Sequence, residues 1–599
     1  MDKVNIKSLI EEKNPKLLSK MPGFASKGIV SMLEKVFHQR DINSFLDKAE
    51  GLEGNDFIDA LFDDLDFNYY LGARDKKRIP AQGRLVIVAN HPLGGLDGLA
   101  ILRAVSEVRS DVRIVANDLL MNLDPLKEKF LPVDLYSERA QKKNMIEIMR
   151  ALKNEEAVIF FPSGEVSRVV GRKIMDRKWN KGCITLAKNT ESPILPIHIG
   201  GKNSSLFYGA SFLKKEFATF MLAHEIFAKK GGIIKFTVGN PIPPSSFVDN
   251  VSTSYHAKML RSHTYQIAEG KKGIFKTEKT IIHPVDKQSL KRELSLTEEL
   301  GETTDGKKIF LMDYNTSPMI MKEISRLREI TFRKVGEGTG YSFDSDMFDK
   351  YYKHIVLWDD KDLEIVGSYR LVVVKDMLKS RTKDALYNSH LYILHNKFDE
   401  YLIDAVEAGR SFIQQKYWGT AALDYLWQGI GAFLRTRPDI RYLFGAVSIS
   451  SNYPADAQAI ILEYYKKWYL GDTDLVTPST PIELPVSSVQ YGKSVLTGSD
   501  YTEDFRLMKN ALRNFGLTVP TLLRRYTELC EYGGVKYLGF NRDGNFNNSL
   551  DCLALVDLHQ MKPELRKRYY ESQRSLGKKD DRKSFASDLK PVAETSELN

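Results

Sequence analysis

The first residues of this chain that could do chemistry are His91 and Asp97, within Asn90-His91-Pro92-Leu93-Gly94-Gly95-Leu96-Asp97-Gly98. An aspartate bonded to one imidazole nitrogen fixes the tautomer and stabilises the imidazolium, leaving the other nitrogen to take a proton from a hydroxyl. Spacing alone is weak support. With 11 histidines and acids at 78 of 599 positions, roughly one such pair per offset arises by chance. Context adds to it. The apolar run Leu85-Val86-Ile87-Val88-Ala89 leads into the histidine, Pro92 stops the ladder, and the glycines permit a tight turn. A helix starting near Leu96 would bring Asp97 back toward the imidazole. Read in isolation, the same residues make a histidine that caps the next helix and does no chemistry.

A second segment, Ala157–Phe161 followed by Pro162-Ser163-Gly164-Glu165-Val166-Ser167-Arg168, again sets a glycine turn, hydroxyls and an arginine after a strand. In parallel α/β sheets that strand end is where sites are built. The backbone at Gly164, with Glu165 and Arg168 nearby, suits an anionic headgroup or an oxyanion; Arg168 reads equally as a solvated surface residue. In the second half, Glu407-Ala408-Gly409-Arg410 precedes Lys416-Tyr417-Trp418-Gly419-Thr420-Ala421 and an amphipathic helix. The small residues Gly419, Thr420 and Ala421 would let a phosphate or pantetheine reach the first amides of that helix. A plain strand–turn–helix connection is spelled the same way.

These residues need elements to hold them. Apolar runs at 85–89, 112–116, 157–161, 194–199 and 233–238 alternate with helical patterns such as 140–153 and 179–189. That alternation predicts an α/β unit with a largely parallel sheet. A second α/β unit starts near Ile309, with strands at 365–374 and 442–449 around a helix at 420–434. The expected organisation is a helical lead (1–75), a first catalytic domain (76–269), a polar linker or edge helix (270–305), a second domain (306–560) and a disordered tail (561–599). Residues 212–230 carry Leu213, Phe217, Phe220, His224 and Phe227 on one helical stripe with lysines at both ends. Such a helix either lies in a bilayer interface or packs on the sheet.

The segments of the first half, in this order, resemble the glycerolipid (lysophospholipid) acyltransferase superfamily over about residues 80–245. His91 and Asp97 match its His/Asp motif, Phe161-Pro162-Ser163-Gly164-Glu165 its Phe-Pro-Glu-Gly-Thr-Arg block, and Leu195-Pro196-Ile197 its late proline strand. Five residues rather than four separate the histidine from the aspartate, which reads as a bulge at Gly94-Gly95. Ser163 replaces the usual glutamate, and the spelling is similar to the haemolysin-like subfamily. The resemblance makes His91 the general base and Asp97 its orienter.

The second half, about residues 309–560, resembles the GNAT fold. More specifically, its blocks resemble the ornithine-acyl carrier protein N-acyltransferases and their acyl-homoserine-lactone-synthase-like cousins. The blocks are Arg326-Leu327-Arg328 with Phe332, Phe343-Asp344-Ser345-Asp346-Met347-Phe348-Asp349, Ile365–Arg370, Glu407–Arg410 and Leu443–Ser448. Lys416 stands where the donor turn usually has arginine or glutamine. The implied chemistry is amide formation on an α-amine, which must lose a proton before it attacks a thioester. Glu407 is the expected base and Arg410 the partner of a substrate carboxylate. Asp344, Asp346 and Asp349 are offered to a cationic side chain, or else form a solvated acidic loop.

Together the two halves resemble the bifunctional ornithine lipid synthases. That implies N-acylation of an amino acid with a 3-hydroxyacyl group from acyl carrier protein, then O-acylation of the 3-hydroxyl. Neither metal nor nucleotide cofactor is expected, because thioesters are already activated. The rivals are a glycerophospholipid acyltransferase with an accessory domain, a glycine or serine lipid synthase, and a membrane-binding haemolysin without catalysis. Composition permits the enzymatic readings. Hydrophobic residues are 42% and charged residues 28%, which excludes a disordered or collagen-like chain. Three scattered cysteines exclude a disulfide framework. No run approaches 18 apolar residues and the N-terminus does not read as a signal peptide. A net charge of +9 suits an acidic carrier and the inner face of an anionic membrane, with no nucleic acid expected.

Overall fold

Five consecutive apolar residues, Leu85–Ala89, form a strand whose every side chain is buried, as befits a strand covered on both faces. The computed structural model describes residues 5, 7–8, 23–36, 38–116, 124–132, 138–205, 207–208, 225–227 and 229–571. The chain divides into two compact units, residues 1–283 with 340–342, and residues 284–339 with 343–599.

The strands of the first unit are β1 (Asn68–Tyr70), β2 (Leu85–Ala89), β3 (Val112–Ala116), β4 (Phe130–Pro132), β5 (Ala157–Phe160), β6 (Arg168–Val170), β7 (Lys173–Met175), β8 (Ile194–Gly200) and β9 (Ile233–Val238). Seven form a sheet ordered β1-β9-β8-β2-β5-β3-β4, and β6 and β7 form a separate hairpin. β2 lies parallel between β5 and β8, and β8/β9 is the antiparallel pair. Alternation sends Leu85, Ile87 and Ala89 to a core with Phe57, Ile58 and the helix Gly95–Ser106. Val86 and Val88 face the helices Glu138–Lys153, Gly182–Asn189 and Thr253–Ala268 through Ile148, Ile184 and Leu260. Helices thus cover both faces, and the carboxyl end of β2 opens where the His91 turn begins.

The second unit holds β10 (Glu298–Glu302), β11 (Lys308–Asp313), β12 (Lys353–Asp359), β13 (Glu364–Val373), β14 (Tyr392–Leu394), β15 (Ala405–Ile413), β16 (Tyr442–Ile449), β17 (Val476–Pro478), β18 (Val535–Asp543) and β19 (Ser549–Asp557). Its main sheet runs β10-β11-β12-β13-β15-β16-β19-β18. All its neighbours are antiparallel except β15 and β16. Ile309, Leu311, Ile355 and Leu357 pack on the helices Ala422–Arg435 and Ala455–Tyr469. Phe310, Met312, Val356 and Trp358 pack on Ile320, Met321 and Ile324 of the helix Pro318–Lys334.

Two expectations change and one is narrowed. The helical lead also carries β1, which adds a parallel edge beside β9. Of the two readings of the polar stretch 270–305, the structure shows a helix rather than a free linker. The stretch contains the helix Lys287–Leu294, which buries Leu290 and Leu294 one turn apart, and β10, which pairs with β11. Residues 563–571 are helical rather than loose, because Tyr569 is buried and its hydroxyl donates to Asp424 Oδ1 at 2.5 Å. Residues 572–599 and most of the aromatic stripe at 212–230 lie outside the described residues.

Candidate functional site

In the first unit β2 ends at Ala89, and the buried Asn90 side chain locks it to β8. Asn90 Nδ2 donates to the Ile199 carbonyl at 2.9 Å, and Ile199 N donates to Asn90 Oδ1 at 2.7 Å. His91 follows, its ring stacked on Phe161 with centroids 4.1 Å apart. Gly94 then turns the chain with φ +89°, a conformation costly for other residues, and so absorbs the extra residue of the motif before the helix Gly95–Ser106. That helix carries Asp97 back, fully buried, with Oδ2 3.3 Å from His91 Nδ1. The pair stands at ion-pair distance without an aligned hydrogen bond; such contacts tighten when substrate binds. Asp97 Oδ2 also accepts from the amides of Leu93 at 2.7 Å and Gly94 at 3.1 Å. Burial pushes the Asp97 carboxyl up, against His91 and these amides.

The second segment is tied to the first through a carboxylate that sequence reasoning missed. Asp176 Oδ1 accepts from His91 N at 3.2 Å and from the Ser167 hydroxyl at 2.6 Å, and Oδ2 accepts from Trp179 Nε1 at 2.7 Å. Ser167 N donates to the His91 carbonyl at 2.7 Å. Gly164, at φ +62°, closes the turn by donating its amide to the Phe161 carbonyl at 3.0 Å. Glu165 is half-buried beside it. Arg168 is not a solvated residue: it is buried, its guanidinium lies 5.2 Å from the Phe207 ring, and Nη1 has no partner. An unpaired buried guanidinium nitrogen is a ready donor to an anion. Asp176 touches no reacting atom in this arrangement; it positions His91. Asp176→Ala is therefore expected to lower kcat of any reaction that uses His91 as its base about 100-fold with little change in KM. Steady-state kinetics of the variant check it.

In the second unit, four of the blocks meet in one charged cluster. Arg328 donates to Asp349 Oδ1 at 3.0 Å, to Asp349 Oδ2 at 2.7 Å and to the Asp344 carbonyl at 2.6 Å. Arg370 donates to Asp346 Oδ1 at 2.6 Å and to Asp349 Oδ1 at 3.0 Å. Arg410 donates to Asp344 Oδ2 at 3.1 Å, and its Nη2 lies 3.8 Å from Asp346. This corrects the reading of Asp344 and Asp346 as receptors for a cationic side chain. They are neither that nor a solvated loop, because arginines from three separate elements occupy them. It also narrows Arg410, whose bidentate face is taken; only Nε is buried without a partner. Arg410 sits at a bulge, where Arg370 pairs with Gly409 and Ser368 with Phe412. Its φ of +51° is strained for a non-glycine residue, a device common at sites.

β15 and β16 pair from Ala405/Tyr442 to Glu407/Phe444 and then part. The fork opens into a cavity of about 70 Å³ lined by Ala408–Ser411, Ala446–Ser448, Tyr387, Asn388, Glu407, Asp543 and Asp551. Glu407 lies at its root, fully used. Oε1 accepts from Asn388 N at 2.7 Å and Asn388 Nδ2 at 2.5 Å, and Oε2 from Tyr387 N at 3.1 Å and from the Tyr352 hydroxyl. Asn388 Oδ1 in turn accepts from Ala446 N at 3.1 Å, bridging the fork. Burial pushes the Glu407 carboxyl up, but no lone pair is left for a substrate proton. Its role is correspondingly to position the 387–388 turn and the fork. Gly445 is required at the crotch, since a Cβ there would lie 2.0 Å from the Ala408 carbonyl oxygen. Gly445→Ala is expected to destabilise the second unit by about 1–3 kcal/mol, read from its denaturation midpoint.

The donor turn is only partly as expected. Gly419, at φ +73°, Thr420 and Ala421 do precede the first turn of the helix Ala422–Arg435, and the Thr420 hydroxyl accepts from Ala422 N at 3.2 Å. Lys416 instead pairs outward with Asp362 at 2.9 Å and with Glu364. Asp551 and Asn388 escaped the sequence reading. The acid inside the apolar run Ser549–Asp557 was the one available signal for Asp551; nothing marks Asn388.

Comparison with known proteins agrees with this division. Residues 8–272 match the family model described as Acyltransferase, and residues 327–428 the Acetyltransferase (GNAT) domain. A glycine N(alpha)-acyltransferase of Bacteroides thetaiotaomicron is 33% identical over 262 residues, 42% of this chain and 77% of its own length. A lyso-glycine lipid O-acyltransferase of the same organism is 29% identical over 272 residues, 44% of this chain and 97% of its own. An L-ornithine N(alpha)-acyltransferase of Brucella abortus is 30% identical over 129 residues, 20% of this chain and 43% of its own. With a histidine–aspartate site in one unit, a strand fork in the other and relatives of both kinds, the chain belongs to the acyltransferase family that includes the glycine N(alpha)-acyltransferases, and it carries an acyltransferase domain followed by a GNAT domain.

Proposed function

We propose that this enzyme builds a two-chain aminolipid, the second unit acylating the amine of an amino acid and the first esterifying the product. One observation carries the reading: a histidine–aspartate pair suited to a hydroxyl and a buried, carboxylate-lined fork suited to an ammonium occur in one chain. Relatives that acylate glycine and lyso-glycine lipid support the same pairing. The proposed donor is a 3-hydroxyacyl group on acyl carrier protein. Amide formation then leaves a 3-hydroxyl, the group His91 would deprotonate, so N-acylation precedes O-acylation. Strand edges that part at Glu407 offer backbone groups to an extended thioester arm. Arg168 and the Gly164 turn would receive the carboxylate of the single-chain intermediate or its oxyanion.

Glycine is the first choice of amino acid. The acids that could have met a cationic side chain are held by arginines, and the relatives that acylate glycine point the same way. Ornithine is the second reading, favoured by the ornithine-acylating relative. Among the described residues no helix is long and apolar enough to cross a membrane. The net charge of +9 supports peripheral attachment to an anionic membrane face, where the amphiphilic intermediate would pass between sites. The test supplies the full chain with a 3-hydroxyacyl-acyl carrier protein and glycine, serine or ornithine in turn. The expected product is N-(3-hydroxyacyl)glycine, then its O-acyl ester. Ornithine as sole acceptor would select the second reading, and acylation of lysophosphatidic acid alone would overturn both.

A further inference from the structure

Asp551 lies on β19 in Ser549–Asp557, a strand with every residue buried, opposite Ser448 of β16 and Asn541 of β18. Its side chain lines the fork cavity and its Oδ2 is buried without a hydrogen-bond partner. The other acids around it are engaged. Glu407 accepts from Tyr352, Tyr387 and Asn388. Asp543 accepts from Asn545 N at 2.8 Å and the Tyr387 hydroxyl at 3.4 Å, and Glu337 accepts from the Ser448 hydroxyl at 2.9 Å. Asp344 and Asp346 face arginines; Asp346 Oδ2 also has no hydrogen bond, but it lies 3.8 Å from Arg410 Nη2 and Asp346 does not line the cavity. A buried carboxylate with nothing to bind is costly and marks a place where a ligand supplies the partner.

The geometry points to Asp551 as the catalytic base of amide formation, the carboxylate that receives the substrate α-ammonium and takes its first proton; this assignment rests on the amide-forming reading of the second unit. In that step the ammonium proton passes to Asp551 and the freed nitrogen pair attacks the thioester carbonyl carbon. A C–N bond forms, the C–S bond breaks, and the departing thiolate takes the second proton lost by nitrogen. Asp551 afterwards releases its proton to solvent. Arg410 Nε, unpartnered in the same cavity, is placed to accept the α-carboxylate as a single donor. Burial pushes the Asp551 carboxyl well up, Asp543 and Glu337 push it further, and Arg410 opposes them. Proton affinity raised toward that of an amine is what such a base requires.

The experiment uses the full chain, a 3-hydroxyacyl-acyl carrier protein, and two nucleophiles: glycine, and hydroxylamine, which is unprotonated at neutral pH and needs no base. Wild type is expected to form both amide and hydroxamate. Asp551→Asn should lose amide formation by about 100-fold or more while hydroxamate formation stays at the wild-type rate. Asp551→Ala should recover amide formation when formate is added to fill the vacated carboxylate position. Glycine acylation by Asp551→Asn at the wild-type rate would overturn the assignment, as would equal loss of both reactions without formate rescue. No amide from wild type with any amino acid would overturn the amide-forming reading itself and the assignment with it, and the wild-type arm alone reports that.

Discussion

His91→Ala is expected to abolish O-acylation, by about 10²–10⁴-fold, while N-acylation continues and the single-chain amide accumulates. The argument starts from Asp97, held without solvent by the helix Gly95–Ser106 and fixed by the amides of Leu93 and Gly94. Its free role is to orient Nδ1 of His91, 3.3 Å away, so the ring's other nitrogen is left to act on a hydroxyl. His91→Gln should fail equally although it keeps a polar side chain beside Phe161, which separates chemistry from packing. Asp97→Asn should also fail, because an amide cannot stabilise the imidazolium. Quantifying amide and ester products from the same reaction checks all three, with the amide acting as an internal control for folding.

The second large effect is on stability. Asp349→Ala removes the carboxylate shared by Arg328 and Arg370, both fully buried. Arg328 would lose its bidentate partner and keep only Asp344 at 3.5 Å, and Arg370 would keep Asp346 alone, a loss of about 3–5 kcal/mol for a broken buried pair. In a unit of this size that lowers the melting temperature by about 10 °C, read as a shift of one of two transitions in calorimetry. The pH dependence has a definite sign. Burial opposes ionisation of Asp349, but Arg328 and Arg370 outweigh it and hold the carboxyl well below the ordinary range. A depressed carboxyl contributes its full stability above the unfolded value and loses it as pH falls through the folded one. The wild-type contribution therefore persists through neutral and mildly acidic conditions and disappears only in strong acid. The alanine variant lacks it throughout.

These two effects differ in how far the sequence disclosed them. His91 and Asp97 are six residues apart and joined by one turn, so residue types and local geometry sufficed to pair them. The strand beside them was equally readable, because the run Leu85–Ala89 is apolar over its whole length. Asp344, Asp346 and Asp349 were read as open acids because their partners come from the helix Pro318–Lys334, β13 and β15. Charge pairing across elements has no period and leaves no local trace. Glu407 was named as a base from its position, yet its saturation depends on Asn388 and Tyr352, which carry no signal of their own. Asp176 and Asp551 act through tertiary placement in the same way. Around Lys287–Leu294 linker and edge helix are spelled alike, because the two buried leucines are the helix's sole apolar trace.

The central claim is that one chain performs both an amine-directed and a hydroxyl-directed acylation on one lipid. The most direct measurement is mass spectrometry of lipid extracted from a host that lacks aminolipids and expresses the wild-type chain. The account predicts a new lipid that releases one fatty acid on mild alkaline hydrolysis and retains a second, amide-linked 3-hydroxy chain on its amino acid. Extracts with no new aminolipid, or with altered phosphatidic acid alone, would contradict it.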